Sequence, residues 1–155
     1  MTLTGAELEF AVAEVEDPEL PHVTIGDLGI VRSVRVDGDT ATVVLTPTYT
    51  GCPATEQIRD DVAAVVRAAG YEPVIDVELS PAWTTDWITP RGHQRLAAAG
   101  IAPPGRAATP VELPVACPRC GSRRTRLVSQ FGGTACKATH TCAVCLEPFE
   151  SFKAL

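Results

Sequence analysis

The stretch Leu45-Thr46-Pro47-Thr48-Tyr49-Thr50-Gly51-Cys52-Pro53-Ala54 joins a predicted strand to a predicted helix. Strand-forming residues over 41–45 stop at Pro47, and a pattern with helical spacing begins just after Pro53. Proline suits the first position of a helix, because the N–H group that it lacks has no helical partner there. The stretch therefore predicts a strand–loop–helix unit with Cys52 at or beside the helix N-cap.

The position of Cys52 allows two interpretations. The positive end of a helix dipole favours a thiolate, and Gly51 has no Cβ and leaves the approach to the sulfur open. Thr46 and the other hydroxyl groups of the loop offer hydrogen-bond donors nearby. The alternative is a small buried residue in an ordinary strand-to-helix turn. The loop alone predicts either a functional thiol or a packing residue.

The residues around this unit predict a small α/β domain, a sheet with helices packed mainly on one face. Thr4-Gly5-Ala6-Glu7 has the form of a capping box and begins the first helix. Asp37-Gly38-Asp39 is typical of a hairpin turn. In chain order, the predicted elements are a helix over 5–15, strands over 30–36 and 40–45, a helix ending at Gly70, a strand over 74–79 and a helix over 90–99.

Two Cys-x-x-Cys pairs predict a second module with a metal site. Cys117 and Cys120 form the first pair, and Cys142 and Cys145 form the second, with 21 residues between the pairs. Each pair is typical of a tight knuckle, and four thiolates suit one tetrahedral, structural zinc ion. So short a segment has too few apolar residues to fold by burial alone, so metal binding would supply much of its folding free energy. A redox dithiol or an iron–sulfur cluster is the alternative.

Composition divides the chain into two predicted domains. Residues 101–114 contain four prolines, which predicts a linker between an α/β domain over 1–100 and a zinc-ribbon domain over 115–155. The first 114 residues carry seven Lys and Arg against seventeen Asp and Glu, whereas the remainder carries six against two. Nucleic-acid binding usually needs a concentrated basic face, so the acidic larger part argues against that partner.

Several classes of protein are disfavoured by the sequence. No apolar run approaches the roughly 20 residues that span a bilayer, and the first ten residues lack the pattern of a signal peptide, so a cytoplasmic protein without a membrane partner is expected. In that compartment, six cysteines favour metal or redox chemistry over disulfides. The chain lacks a Ser/His/Asp set, a phosphate loop and a nucleotide fingerprint, which is compatible with a protein that is not an enzyme.

Cys136 and His140 lie between the two cysteine pairs. Either could replace a knuckle cysteine as a metal ligand, although two complete pairs make this unnecessary. Cys136 is interpreted first as a small buried residue. As an alternative, the neighbouring Lys137 could make Cys136 a second functional thiol.

Several motifs together resemble the metal–sulfur cluster biosynthetic family. They are Asp17-Pro18-Glu19-Leu20-Pro21, Ile25-Gly26-Asp27-Leu28-Gly29-Ile30-Val31, and Thr46-Pro47 followed by Gly51-Cys52-Pro53. The segment Pro81-Ala82-Trp83-Thr84-Thr85-Asp86-Trp87-Ile88 and the cysteine-rich tail narrow the likeness to members encoded with phenylacetyl-CoA epoxidase. The likeness covers the chain apart from residues 1–8 and 101–114.

This resemblance implies an accessory iron–sulfur assembly or maturation factor for the epoxidase system of aerobic phenylacetate degradation. Cys52 would be the working thiol for a transient iron–sulfur cluster or iron. Asp17, Glu19 and Asp27 could help to hold iron, since carboxylates and thiolates both bind it. For Asp17 and Asp27, turn and cap chemistry is the preferred interpretation.

The resemblance also leaves competing functions open. The chain could be an adaptor subunit that grips the oxygenase through the ribbon, Trp83 and Trp87, with Cys52 incidental. These two tryptophans are predicted to form a docking surface or the seam between the domains, with packing over the sheet edge as the alternative. A thiol oxidoreductase is the weaker hypothesis, because one zinc explains both cysteine pairs. The implied partners are the epoxidase reductase or oxygenase subunits, and a homodimer is left open.

Overall fold

A computed structural model describes residues 2–105 and 114–154 of the chain. The chain divides into two compact units, Met1–Trp83 and Thr84–Leu155. The first unit contains helix α1 (Gly5–Ala13), strands β1 (Val31–Asp37) and β2 (Thr40–Leu45), helix α2 (Ala54–Ala68) and strand β3 (Glu72–Val77). The second unit contains a 3-10 turn (Thr85–Trp87), helix α3 (Pro90–Ala98) and strands β4 (Ile101–Ala102), β5 (Thr125–Ser129), β6 (Lys137–Cys142) and β7 (Pro148–Phe152). Among these described helices, none has the length and apolar character that crossing a membrane requires.

Helix α1 begins with the capping box that the sequence predicts. The Thr4 N–H group donates to Oε2 of Glu7 at 2.8 Å, and the Thr4 hydroxyl oxygen accepts from the Glu7 N–H group at 3.4 Å. The backbone and hydroxyl hydrogen bonds from Thr4 lower the pKa of Glu7 below its usual value. Leu8 and Val12 are fully buried, so the helix packs this face against its unit.

The sheet of the first unit has β2 at its centre. Strand β1 pairs with β2 antiparallel, and β3 pairs with β2 parallel. A parallel pair needs a crossover connection, which α2 provides. Helices α1 and α2 contact each other, and they contact β1 and β3 respectively. The predicted class, a small α/β sandwich, is confirmed.

Two elements have boundaries that differ from the sequence prediction by two residues. Helix α1 ends at Ala13 instead of residue 15, and β3 covers Glu72–Val77 instead of 74–79. Strand β3 begins earlier because the Glu72 N–H group donates to the Asp39 carbonyl at 2.8 Å, which extends the pairing with β2. The alternation of residue types along β3 does not predict this contact, because the contact depends on the neighbouring strand β2.

Trp83 belongs to the packed interior of the first unit. Its side chain is buried, and its indole N–H group donates to the Leu28 carbonyl at 2.7 Å. A buried indole with a satisfied N–H group does not offer a surface to a partner. The packing alternative therefore describes Trp83, whereas Trp87 is half-buried in the 3-10 turn of the second unit.

The second unit has a four-stranded sheet in the order β4-β7-β6-β5. Strand β4 lies in the segment that the sequence assigned to a linker, and Ile101 and Ala102 pair in parallel with Glu150 and Ser151. Helix α3, predicted to belong to the first domain, also falls in this unit. A strand of two residues is too short for a periodic pattern. Residues 106–113 of the predicted linker lie outside the described residues, and the predicted domain limits stay a prediction.

Gly26 supports the first testable prediction. Its N–H group donates to the Ala13 carbonyl at 3.0 Å, and a Cβ atom at residue 26 would lie 2.6 Å from that same oxygen. Gly26→Ala should therefore force a backbone shift and lower the free energy of unfolding by about 1–3 kcal/mol, measured by urea denaturation. Gly5→Ala is the control, since a Cβ there meets nothing within 4 Å. Equal stability of the two variants would contradict the close packing at Gly26.

Candidate functional site

Backbone hydrogen bonds fix the loop that carries Cys52. The Thr46 N–H group donates to the Ile30 carbonyl at 2.8 Å, which holds the start of the loop beside β1. The Cys52 N–H group donates to the Tyr49 carbonyl at 3.3 Å, and the Cys52 carbonyl accepts from the Thr55 N–H group at 3.1 Å. The loop therefore enters α2 through a tight turn with Cys52 at its centre.

Cys52 lies where the sequence places it, at the N-terminus of α2. The helix is assigned from Ala54, and Pro53 before it already has helical angles, φ −59° and ψ −28°. Gly51 has φ +81°, a conformation that favours glycine, and a Cβ at this position would meet nothing within 4 Å. Glycine is therefore required here by the backbone conformation, and the space in front of it is open.

The Cys52 thiol meets a carboxylate from a distant part of the sequence. The thiol donates to Oε2 of Glu19, with 3.8 Å between the sulfur and the oxygen. Both side chains are half-buried. The Glu19 N–H group in turn donates to Oδ1 of Asp17 at 2.8 Å, which holds the turn that presents Glu19. The two motifs around residues 17–21 and 51–53 therefore meet at one thiol–carboxylate pair.

The other predicted supporting residues make structural contacts. Asp27 is fully buried, and its Oδ2 atom accepts from the Thr24 N–H group at 3.1 Å. The Asp27 N–H group donates to the Thr24 hydroxyl oxygen at 3.1 Å, so the two residues close one turn reciprocally. Thr46 is buried as well. These contacts fit the turn and cap interpretation of Asp17 and Asp27, and Glu19 contacts Cys52.

The second unit brings four cysteine sulfurs into one cluster. The Sγ atoms of Cys117, Cys120, Cys142 and Cys145 all lie within 4.8 Å of one another. The Cys117–Cys145 and Cys120–Cys142 sulfur distances are 3.7 Å and 3.6 Å, and none of these residues is in a disulfide. A tetrahedral site with metal–sulfur bonds of about 2.3 Å has sulfur–sulfur edges of about 3.8 Å. The cluster therefore has dimensions that suit a single metal ion.

The two knuckles close in the same way. The Cys117 N–H group donates to the Ser122 carbonyl at 2.8 Å, and the Cys142 N–H group donates to the Glu147 carbonyl at 3.1 Å. The residue after each second cysteine has a positive φ, Gly121 at 74° and Leu146 at 64°. Leu146 is not of a residue type that predicts a positive φ. Aligning Cys117-Pro118-Arg119-Cys120-Gly121 with Cys142-Ala143-Val144-Cys145-Leu146 would have revealed it.

The thiols of the cluster titrate as a group. Backbone N–H groups of Cys145 and Val144 lower the pKa of Cys142 to about 6. Although the Glu147 N–H group lowers it, burial and the neighbouring thiols raise the pKa of Cys145 to about 12. Thiols this close cannot all ionise unless a cation offsets their charge. A divalent metal ion supplies that charge, so binding the metal and releasing the protons are coupled.

His140 is outside the four-sulfur cluster. Its Nε2 atom is 2.8 Å from the Ser151 hydroxyl oxygen, and its ring stacks on Phe149 with 5.3 Å between the ring centroids. Burial lowers the pKa of His140. Within residues 2–105 and 114–154, the four knuckle cysteines are the one group of three or more side chains that could hold a metal ion.

Cys136 is buried, and its sulfur lies 3.0 Å from the Thr134 hydroxyl oxygen. The Lys137 ammonium lies 2.9 Å from Oε2 of Glu150, so its charge is directed at that carboxylate. Although partial burial raises it, the Gly133 N–H group and Lys137 lower the pKa of Glu150 below its usual value. These contacts favour Cys136 as a packing residue over a second functional thiol.

Comparison with known proteins shows the family to which the chain is related. Residues 6–79 match the iron–sulfur cluster assembly protein family, and residues 102–153 match the PaaD zinc beta ribbon domain. An Escherichia coli K12 protein provisionally named as a subunit of 1,2-phenylacetyl-CoA epoxidase is 45% identical over 152 residues, which cover 96% of this chain and 92% of that protein. The chain belongs to the PaaD family.

More distant relatives carry names from iron–sulfur protein maturation. An Fe–S protein maturation auxiliary factor of Porphyromonas gingivalis is 38% identical over 78 residues, 48% of this chain and 73% of that protein. The crystal structure of a DUF59 domain, a domain of unknown function, from Bacillus anthracis aligns with a TM-score of 0.55 at 30% identity, covering 59% of this chain and 90% of that one. These relationships support an accessory role for this member of the PaaD family.

The cysteine cluster gives the second prediction. The full-length protein should bind one metal ion per chain, and Cys120→Ser should lose it, because a serine hydroxyl is a poor substitute for a thiolate ligand. Elemental analysis of the purified proteins measures the bound metal. Cys136→Ser is the control and should keep the ion, since the Cys136 sulfur is outside the four-sulfur cluster. Equal metal content in Cys120→Ser and the wild type would contradict the ligand set.

Proposed function

We propose that the chain is a non-catalytic iron–sulfur assembly or maturation factor for the phenylacetyl-CoA epoxidase system, with Cys52 as its working thiol. The contact between Cys52 and Glu19 carries the proposal, because it joins a thiol and a carboxylate in the part of the chain that matches the iron–sulfur assembly family. The Escherichia coli relative, provisionally named as part of the epoxidase, supports the choice of system.

The cargo would be an iron ion or a small iron–sulfur cluster. Thiolate sulfur and carboxylate oxygen both bind iron, and the 3.8 Å between Sγ of Cys52 and Oε2 of Glu19 is close to the distance between two ligands of one metal ion. Binding would replace the thiol proton, which now lies between the two atoms. Two protein ligands leave most coordination positions to sulfide, solvent or a client, so the cargo would be held weakly enough to transfer.

The surroundings of Cys52 suit a transfer site. Tyr49, Thr50 and Gly51 are exposed on the same loop, and the space in front of Gly51 is open. A client surface can therefore approach the loop from solvent. The Thr46 N–H bond to the Ile30 carbonyl holds the Cys52 loop, and the Glu19 N–H bond to Asp17 holds the turn with Glu19, so the two side chains would keep their separation when cargo arrives or leaves.

In this proposal the ribbon binds zinc as a structural ion. Four cysteine thiolates fill all four positions of a tetrahedral zinc, which leaves no position for a substrate. Cys117 and Cys142 also belong to the small core of the ribbon, together with Ala102 and Phe149. The ion would therefore stabilise the fold of the second unit, whereas the chemistry would take place at Cys52.

The proposed clients are the reductase or oxygenase subunits of the epoxidase, in the cytoplasm. The adaptor function is the competing proposal, and the extensive likeness to a protein named as part of the epoxidase supports it. In an adaptor, contact with the client would matter and Cys52 would not. The two functions therefore differ in what a substitution of Cys52 does to the client's metal content.

Cys52→Ser gives the third prediction. The change keeps the side-chain shape, so the loss of stability should be on the order of 1 kcal/mol and the ribbon should keep its zinc. In cells that lack the native gene, this variant should leave the reductase with depleted iron and acid-labile sulfide. Cys136→Ser, at the other cysteine outside the knuckles, is the control and should restore both. Normal reductase clusters with Cys52→Ser would favour the adaptor.

Glu19 and Asp17 give the fourth prediction. Glu19→Gln removes the charge but little volume and should lower the iron and sulfide content of the reductase, because an amide is a poorer iron ligand than a carboxylate. Asp17→Asn keeps the oxygen that accepts from the Glu19 N–H group and should load the reductase normally. Glu9→Gln, on the exposed side of α1, is a further control. If Asp17→Asn fails like Glu19→Gln, Asp17 is a ligand and not a turn residue.

A further inference from the structure

The knuckle end of the second unit carries four arginine side chains. We define the knuckle surface by the residues Arg119, Arg123, Arg124, Arg126, Val144 and Leu146. All four arginines are exposed. Within the part of the chain that the structure describes, no carboxylate lies within ion-pair distance of these guanidinium groups, and Arg123 donates to the Pro114 carbonyl at 3.3 Å. Their charges are therefore available to a partner.

These residues surround one place in the fold. Arg119 lies inside the first knuckle, between Cys117 and Cys120. The Arg124 carbonyl accepts from the Ala143 N–H group at 2.8 Å, which places Arg124 beside the second knuckle. Arg126 follows on β5 and pairs with Thr141 of β6. Because the four knuckle sulfurs lie within 4.8 Å of one another, the two knuckles are adjacent, and the backbone of these three arginines lies in or beside them.

Leu146 adds an independent observation. It has φ +64° and its side chain is 76% exposed, whereas the first knuckle has Gly121 at the equivalent position. Leucine disfavours this backbone conformation, and an exposed side chain gains nothing from burial in return. Val144 in the same knuckle is 53% exposed. The positive φ belongs to the knuckle turn, and what this knuckle adds is two exposed apolar side chains that a partner can cover.

Charge identifies the chemistry of the partner. Residues 1–83 carry four Lys and Arg against fifteen Asp and Glu, and residues 84–155 carry nine against four, so the formal net charges are −11 and +5. Four thiolates around one divalent ion lower the second value to about +3, which is still positive. We propose that the knuckle surface docks an acidic protein segment that also presents an apolar side chain. Carboxylates of the segment pair with Arg119, Arg124 and Arg126, and its apolar side chain covers Val144 and Leu146. This docking is independent of the proposed role of Cys52.

Two other partners fit the surface less well. A nucleic acid would use the arginines but not Val144 and Leu146, whose aliphatic side chains cannot stack on bases, and the whole chain has a net charge of −6 that repels phosphates. A second copy would have to place its acidic unit on this basic one. Such a head-to-tail contact uses different surfaces on the two copies and leads to rings or open filaments. A different, acidic protein avoids both difficulties.

The test uses the full-length, metal-loaded protein and three synthetic peptides of equal length. One alternates Glu and Leu, one alternates Glu and Ser, and one alternates Lys and Leu. Fluorescence anisotropy should show the tightest binding for the Glu–Leu peptide, weaker binding for Glu–Ser and none for Lys–Leu. Binding should weaken as salt is added, because exposed charges are screened.

Two variants separate the charged from the apolar part of the surface. Arg119→Glu with Arg124→Glu should weaken binding of the Glu–Leu peptide by about tenfold or more, whereas Arg67→Glu on α2 should change it less than about twofold. Leu146→Gly should weaken binding of the Glu–Leu peptide, leave the Glu–Ser peptide unchanged and not lower the melting temperature. Metal content confirms that each variant keeps its ribbon.

Three results would overturn the proposal. One is equal binding of the Glu–Leu peptide by the double arginine variant and the wild type. Another is binding of single-stranded DNA more tightly than the Glu–Leu peptide through the same arginines, which would make the surface a nucleic-acid site. The last is self-association of the chain that the double variant abolishes, which would make the partner a second copy.

Discussion

Four cysteine sulfurs within 4.8 Å of one another need a cation among them before all four can be thiolates. This constraint governs the second unit, because Cys117 and Cys142 are metal-ligand candidates and members of its small core at once. The sheet adds few fully buried apolar side chains beyond that core. Binding of the ion should therefore supply much of the folding free energy of the ribbon, and a chelator that removes the ion should destabilise it.

The first unit is built differently, and the difference suits its proposed role. Its helices and sheet share a continuous apolar interior, including Leu8, Ile25, Val43 and Val62, all with no exposed surface. This interior does not require a metal. The pair of Cys52 and Glu19 can therefore be incomplete as a ligand set without endangering the fold. One unit has four ligands that enclose an ion, and the other offers two ligands at a half-buried position.

The sequence predicted the local features and missed those that depend on distant residues. Each local feature is determined by a few adjacent residues, and the structure contains all of them: the capping box at Thr4, the hairpin turn and both knuckles. Strand β4 has only two residues and forms because β7 lies beside it. No local sequence pattern therefore predicts this strand. The resemblance proposed Glu19 among three carboxylates, but only the folded chain shows its contact with Cys52. Burial of Trp83 likewise depends on a carbonyl far away in sequence.

The pairing of β4 with β7 has a consequence for the newly synthesised chain. Residues 101–102 can form their strand only after residues 150–151 have been synthesised. In contrast, every strand of the first unit has been synthesised by residue 77. The first unit can therefore fold while the knuckles are still being translated, and the second closes only afterwards. On the ribosome, Cys52 and Glu19 are in place before the unit with the basic knuckles exists. The order of synthesis would therefore complete the proposed cargo site before the proposed surface for an acidic partner.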